Sequence, residues 1–179
     1  MQTKKPLSLL KVYQLIEPGP VVMLTTAYKG KQNIMTMAWL TMIGFKPPLI
    51  ACVLGKKKYS FAALKKTKEC VINIPTVELI ETVMGVGNTT GSEIDKFKKF
   101  ELTPEPATLV DAPIIKECYA SLECKVVDTK MVSKYNMFIL EVVKAWITPR
   151  KKRARTIHHI GSGVFVVDGE IIKARFKKK

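Results

Sequence analysis

Three consecutive lysines, Lys56, Lys57 and Lys58, followed by Tyr59 and Ser60, form the most chemically loaded stretch of the chain. They come after the apolar run Leu49 to Leu54 and before FAALKK, a short helical pattern. A strand that delivers cationic side chains to a fresh helix N-terminus makes a place for an anion. The ammonium groups attract it, and the unpaired N–H groups of the first helical turn donate to it. Ser60 is expected to cap that helix. Asn33, Thr36 and Thr41 lie upstream and add hydrogen-bonding groups. The expected ligand is a phosphorylated small molecule lying across Asn33 to Ser60. The plainer alternative is a solvated cationic corner with an ordinary capping serine.

Other reactive side chains are few. His158 and His159 are the only histidines; adjacent to one another, they are either an acid–base pair or a structural feature beside Gly161 and Gly163. Cys52, Cys70, Cys118 and Cys124 form no CxxC pair, which speaks against a zinc site and for buried, reduced thiols. Neither a Ser-His-Asp order nor paired carboxylates stand out. The absence of GxGxxG and GxxxxGK[ST] removes the Rossmann and P-loop routes to a nucleotide.

The elements that must position this chemistry fit one domain over residues 1–179, long enough for its own core. A content of 47% hydrophobic and 25% charged residues is that of an ordinary globular protein. The formal charge of +15 admits a nucleic acid, an anionic membrane surface or a polyanionic small ligand as partner, or simply a lysine-rich surface. No run approaches the roughly 18 apolar residues of a membrane span, and the N-terminus lacks a signal-peptide pattern. The expected location is the cytoplasm.

Leu7 to Ile16 reads as one or two helical turns stopped by Glu17-Pro18-Gly19-Pro20. Val21 to Tyr28 and Gln32 to Met37 make a hairpin about Lys29-Gly30-Lys31. Leu49 to Leu54 is a buried strand whose approach Pro47 and Pro48 keep extended. A helix over Ser60 to Lys66 leads to a strand at Cys70 to Ile74. Thr76 caps a second helix, VELIETVMG, closed by Gly85 or Gly87. GNTTG (Gly87 to Gly91) is a loop, and a lysine-rich turn begins near Ser92. Leu102 to Pro113 is an extended connection. Glu117 to Val127 and Met137 to Ile147 are long strands, Arg150 to Arg155 a basic linker, and Lys177 to Lys179 a basic tail. Asp168-Gly169 predicts a hairpin between Val164–Val167 and Glu170–Ala174. Even strand spacing with a few short inserted helices argues a mainly β, antiparallel barrel.

Several of these pieces in this order resemble the flavin reductase-like, FMN-binding split-barrel family, in its flavoredoxin and archaeal ferric-reductase-like branch. They are Asn33-Ile-Met-Thr-Met-Ala-Trp39, Pro47-Pro48-Leu-Ile, Lys58-Tyr59-Ser60, Val71-Ile-Asn73-Ile-Pro75, Gly91-Ser92 with Asp95-Lys96-Phe97, Ala112-Pro113 before Leu122-Glu-Cys, and His159-Ile-Gly161-Ser-Gly163-Val-Phe165 with Gly169. The resemblance implies a homodimer of split β-barrels that binds FMN. It also implies two-electron transfer through that flavin, as a flavin reductase or a flavoredoxin-type carrier. On the family pattern Asn33, Met35, Thr36, Ala38 and Trp39 line the ring and ribityl chain. Lys58, Tyr59 and Ser60 hold the phosphate, and Asn73, Ser92, Lys96 and Phe97 contribute to the pocket or its rim. One departure bears on the electron donor: Ser133-Lys134-Tyr135-Asn136 stands where many pyridine-nucleotide-dependent members carry Gly-Asp-His. The donor is then NAD(P)H or an acidic redox protein of the ferredoxin type. The alternative is a nucleic-acid-binding β-barrel using the basic surface, against which stands the lack of aromatics interleaved with the basic runs.

Overall fold

The computed structural model describes residues 8, 19–149 and 153–172. The expected first helix apart from Ser8, the first half of the basic linker and the basic tail lie outside them. The chain begins its sheet with β1 (Val22–Tyr28) and β2 (Lys31–Met37), an antiparallel hairpin. Its turn residues Lys29 and Gly30 both have positive φ, 52° and 73°. That geometry matches the twist of the flanking strands.

β3 (Leu40–Phe45) and β4 (Pro48–Val53) form a second hairpin, with Pro48 opening β4. After helix α1 (Tyr59–Thr67), β5 (Glu69–Ile74) pairs with β1. A 3-10 turn at Val77–Leu79 leads into α2 (Ile80–Gly87), and one turn of helix, α3 (Lys96–Lys99), follows. The two-residue strands β6 (Pro104–Glu105) and β7 (Ile114–Ile115) pair with each other. The long strands β8 (Ala120–Asp128) and β9 (Met137–Ile147) flank a single helical turn, α4 (Val132–Tyr135). β10 (Ile157–Gly161) and β11 (Val164–Val167) close the described chain as a hairpin. The main sheet has seven strands in the order β2-β1-β5-β8-β9-β4-β3. Every pairing in it is antiparallel. β2 and β3 form its two edges, joined by Ala38 and Trp39. This is the expected antiparallel split barrel with a few short inserted helices.

The period of two along a strand decides where the core sits. In β1, Val22 and Leu24 enter one apolar cluster with Cys52, Leu54, Phe61, Ile72, Phe138 and Leu140. Met23, with Val21 just before the strand, enters another with Ile34, Val83, Val86, Phe97 and Ile157. The first cluster lies between the sheet and α1, the second between the sheet, α2, α3 and the closing hairpin. Burial on both faces is why β1 begins in the unbroken apolar run Val21 to Leu24. All four cysteines are buried and unpaired, as expected. Burial, with Cys124 close by, pushes the Cys52 thiol up to about 12, so it packs as an apolar group.

Four local expectations need correcting. β3 was not anticipated: it is an edge strand that leaves Met42, Ile43 and Phe45 exposed, so no buried face marks its pattern. Ser60 is not the cap of α1. Lys58 occupies that position without a side-chain cap bond, and Ser60 is buried in the first turn. The Thr76 hydroxyl donates to the Glu78 carboxylate, and no side chain caps the helical turn. The closing hairpin turns at Ser162-Gly163, both at positive φ, so Asp168-Gly169 follows β11. The Asp168 carboxylate is drawn back to Thr156 and His158.

Candidate functional site

Asn33 and Met35 on β2 face the start of α1 and the loop after α2 across a cavity of about 400 Å³. Its lining joins Asn33, Met35 and Thr36 to Lys57, Lys58, Tyr59 and Ser60, and both to Val86, Gly87, Thr89, Thr90, Gly91 and Lys96. The alternation of β2 places Asn33 and Met35 on the same side, and the adjacent Thr36 donates to the Val83 carbonyl at 2.7 Å, tying α2 to the sheet. The buried Asn33 amide donates to the Ser60 hydroxyl at 2.8 Å. The Ser60 oxygen thus accepts from the protein, while its O–H, at the cavity wall, has no acceptor among the described residues. Gly91 makes room for this pair: a Cβ there would overlap the Asn33 side-chain amide.

The charge in this cavity is one-sided. Lys57, Lys58 and Lys96 line it, and no carboxylate does. Lys96 is buried, and its ammonium donates to the Val86 carbonyl at 2.8 Å. Burial, and then the neighbouring Lys58 charge, bring it down to about 8. Lys31 lies over the Tyr59 ring at 5.3 Å, adding a further cation beside the α1 wall.

A second cavity of about 360 Å³ shares Thr36 and Gly87 with the first. Val21, Ala38, Trp39, Val83, Met84 and Phe165 give it apolar walls, and Asn88 and His159 give it polar points. His159 and Phe165 are in ring contact across the β10–β11 hairpin, with centroids 5.2 Å apart. The hairpin is pinned by Asp168, which accepts from Thr156 Oγ1 at 2.7 Å and His158 Nε2 at 2.9 Å and pairs with Arg153 at 3.1 Å. Thr156, working against burial and aided by His158 and Arg153, holds the Asp168 carboxyl below its ordinary value. His158 therefore positions the hairpin, while His159 faces the cavity.

Of the expected site residues, Asn33, Met35, Thr36, Lys58, Tyr59, Ser60 and Lys96 meet in the cationic cavity. Ala38 and Trp39 meet in the adjoining one. Asn73 belongs to neither. It sits inside the sheet, donates to the Met23 carbonyl, and accepts from Ile115 N–H at 2.9 Å and Ser121 Oγ at 2.7 Å. It braces β1, β5, β7 and β8. Phe97 packs in the second core cluster, and Ser92 is exposed, bonded to Thr90. Thr41 lies exposed on edge strand β3, outside both cavities. Lys57 of the expected cationic corner lines the cavity as well, whereas Lys56 does not; the wall Val86–Thr90 was not expected there. The glycines of GNTTG were its only local signal.

The fold and this paired cavity define a split β-barrel with a cationic pocket opening beside an apolar one. The flavin reductase-like domain matches residues 16–165, and the chain belongs to that family. An uncharacterized protein of Archaeoglobus fulgidus is 34% identical over 113 residues, 63% of this chain and 64% of that protein. The reductase component of a 4-nitrophenol 4-monooxygenase/4-nitrocatechol 2-monooxygenase from Rhodococcus opacus is 28% identical over 126 residues, 70% of this chain and 64% of that protein. Among solved structures, an FMN-binding domain of a flavin reductase-like enzyme from Shewanella baltica superposes with a TM-score of 0.81 at 26% identity, covering 94% of this chain and 96% of its own. The flavoredoxin of Desulfovibrio vulgaris (Miyazaki F) shares the fold, with a TM-score of 0.85 at 24% identity over 97% of this chain and 98% of its own.

Proposed function

We propose that the chain is an FMN-binding flavoprotein acting as a flavin reductase or a flavoredoxin-type electron carrier. The observation that carries this is the junction of the two cavities at Thr36 and Gly87: one end is cationic and free of lining carboxylates, the other mostly apolar. A phosphate ester joined by a polar chain to a flat aromatic ring needs such a site. The donor set fits it: the Ser60 hydroxyl and the Lys57 and Lys58 ammoniums for the phosphate, and Met35 and Thr36 along the ribityl chain. Ala38, Trp39, Met84 and Phe165 flank the ring. Bound FMN supplies the two-electron chemistry; the protein's share is orientation, exclusion of water and electrostatics. His159 and Asn88 offer hydrogen bonds at the ring end, and the lysines favour negative charge.

The chain pairs as a homodimer in this proposal. Support comes from the exposed apolar side chains of edge strand β3, with Phe45 90% exposed, and from Trp146 and Ile147 on β9. The donor is NAD(P)H or an acidic redox protein. The segment where pyridine-nucleotide-dependent relatives carry histidine is here the helical turn α4 followed by Asn136, which favours the protein donor. No helix of the described residues is long and apolar enough to cross a membrane.

Reconstitution with FMN followed by desalting tests the proposal. The protein should stay yellow and bleach under anaerobic reduction; parallel stopped-flow traces with NADH, NADPH and a reduced ferredoxin identify the donor. A protein that emerges colourless after exposure to FMN contradicts the reading. Light scattering on the same sample should return twice the 20.1 kDa chain mass.

A further inference from the structure

Lys96 is 3% exposed, yet no carboxylate among the described residues lies within ion-pair distance of it. Its one hydrogen bond given by the structure is to the Val86 carbonyl, at the wall of the cationic cavity. A buried ammonium is costly unless paired, so the fold holds an unfinished charge there.

We infer that binding of a phosphate dianion in this cavity is coupled to a proton on Lys96, so that the preference for FMN over riboflavin is set by pH. The inference rests on the flavin reading of the site and deepens it. Three other titratable side chains line the cavity, Lys57, Lys58 and Tyr59, all at the start of α1. β2 contributes Asn33, Met35 and Thr36, and α2 with its following loop contributes Val86, Gly87, Thr89 and Thr90, none of which titrates. Lys31 on β2 is placed over the Tyr59 ring. At the N-cap of α3 Asp95 accepts from the Lys98 backbone N–H, and Lys98 and Lys99 are exposed. Glu81 on α2 and Glu93 in the loop are exposed as well. Entry of a dianion therefore supplies the opposite charge that Lys96 lacks.

The sign follows from linkage. In the free protein Lys96 releases its proton at about 8, lowered by burial and by Lys58. An adjacent phosphate stabilises the ammonium and raises that value, so affinity is greatest below about 8 and falls as the pH rises. The phosphate is already a dianion above its second ionisation near 6, so it does not change charge over this range.

Dissociation constants of FMN and riboflavin, read by quenching of flavin fluorescence on the full chain at pH 7 and pH 9 at constant ionic strength, test this. The FMN constant should rise roughly tenfold between those pH values, as expected for one group titrating near 8 in the free protein. The riboflavin constant should change less than twofold. Lys96→Arg, whose side chain stays charged, should bind FMN equally well at both. Lys96→Met should bind it weakly and without pH dependence, and circular dichroism of both variants establishes that they fold. A slope of equal size for riboflavin, or a slope that survives in Lys96→Arg or Lys96→Met, overturns the inference while leaving the flavin site standing. Failure of either flavin to bind at any pH overturns the flavin reading itself.

Discussion

Asn33 and Ser60 stand 27 residues apart in the chain, yet the Asn33 amide donates to the Ser60 hydroxyl at 2.8 Å in the wall of the cationic cavity. The bond joins β2 to the first turn of α1 and leaves the serine proton as a donor. Ser60→Ala removes that donor and leaves the buried Asn33 amide unpaired. It should weaken FMN binding roughly tenfold and lower stability by about 1–2 kcal/mol. Isothermal titration and chemical denaturation read the two effects separately.

Gly91 is where the loop after α2 passes the Asn33 side chain, with no space for a Cβ. Gly91→Ala must push Asn33 out of its bond with Ser60 or shift the loop. The expected loss is about 1–3 kcal/mol of stability, together with at least a tenfold weaker FMN complex. An alanine at Gly30, where nothing lies within 4 Å of the added carbon, is the control. Its positive φ of 73° costs stability but should leave affinity unchanged.

Asp168 links Arg153, Thr156 and His158, and so holds the β10–β11 hairpin against the second cavity. Asp168→Asn should loosen that hairpin, seen as faster amide exchange at Ile157 to Val167, and weaken FMN binding several-fold through His159 and Phe165. The carboxyl is held below its ordinary value of 3.8. Its contribution is therefore complete above that pH and disappears as the pH falls through the lower folded value.

Glu123 is a fully buried carboxylate inside the β8–β9 pair. Burial pushes its pKa up. Hydrogen bonds from Trp146 Nε1 and from Leu109 and Thr108 N–H, with Lys144 nearby, outweigh that and hold it below 4.5. Glu123→Ala orphans these donors and should cost about 3 kcal/mol. In the wild type this stabilisation persists above pH 4.5 and is lost as acid protonates the folded carboxyl. A urea series between pH 3 and 6 should show a slope that the variant lacks.

Six of the seven expected residues that meet in the cationic cavity do so because their signals are local: Asn33, Met35 and Thr36 share the short strand β2, and Lys58-Tyr59-Ser60 sits at a strand-to-helix corner. The failures have physical causes. Asn73 is a polar residue in an apolar strand, which reads like a ligand contact until Met23, Ile115 and Ser121 are seen to satisfy it. Strand β3 exposes both of its faces in the single chain, so no period-two pattern of burial betrays it. The wall Val86–Gly91 is set by how α2 docks on β2 through Thr36 and Val83, a contact 47 residues apart in sequence. Ser60 resembles a cap because serine favours that position; its partner, Asn33, belongs to another element.

In the proposed function the joined cavities hold FMN, with its phosphate at the cationic end. The most direct measurement is equilibrium titration of the purified, flavin-free chain with FMN at pH 7, followed by quenching of flavin fluorescence. Binding should saturate at one FMN per chain, and Ser60→Ala should weaken it roughly tenfold, the cost of about one hydrogen bond to a charged group. No saturable quenching, or binding untouched by Ser60→Ala, would contradict it.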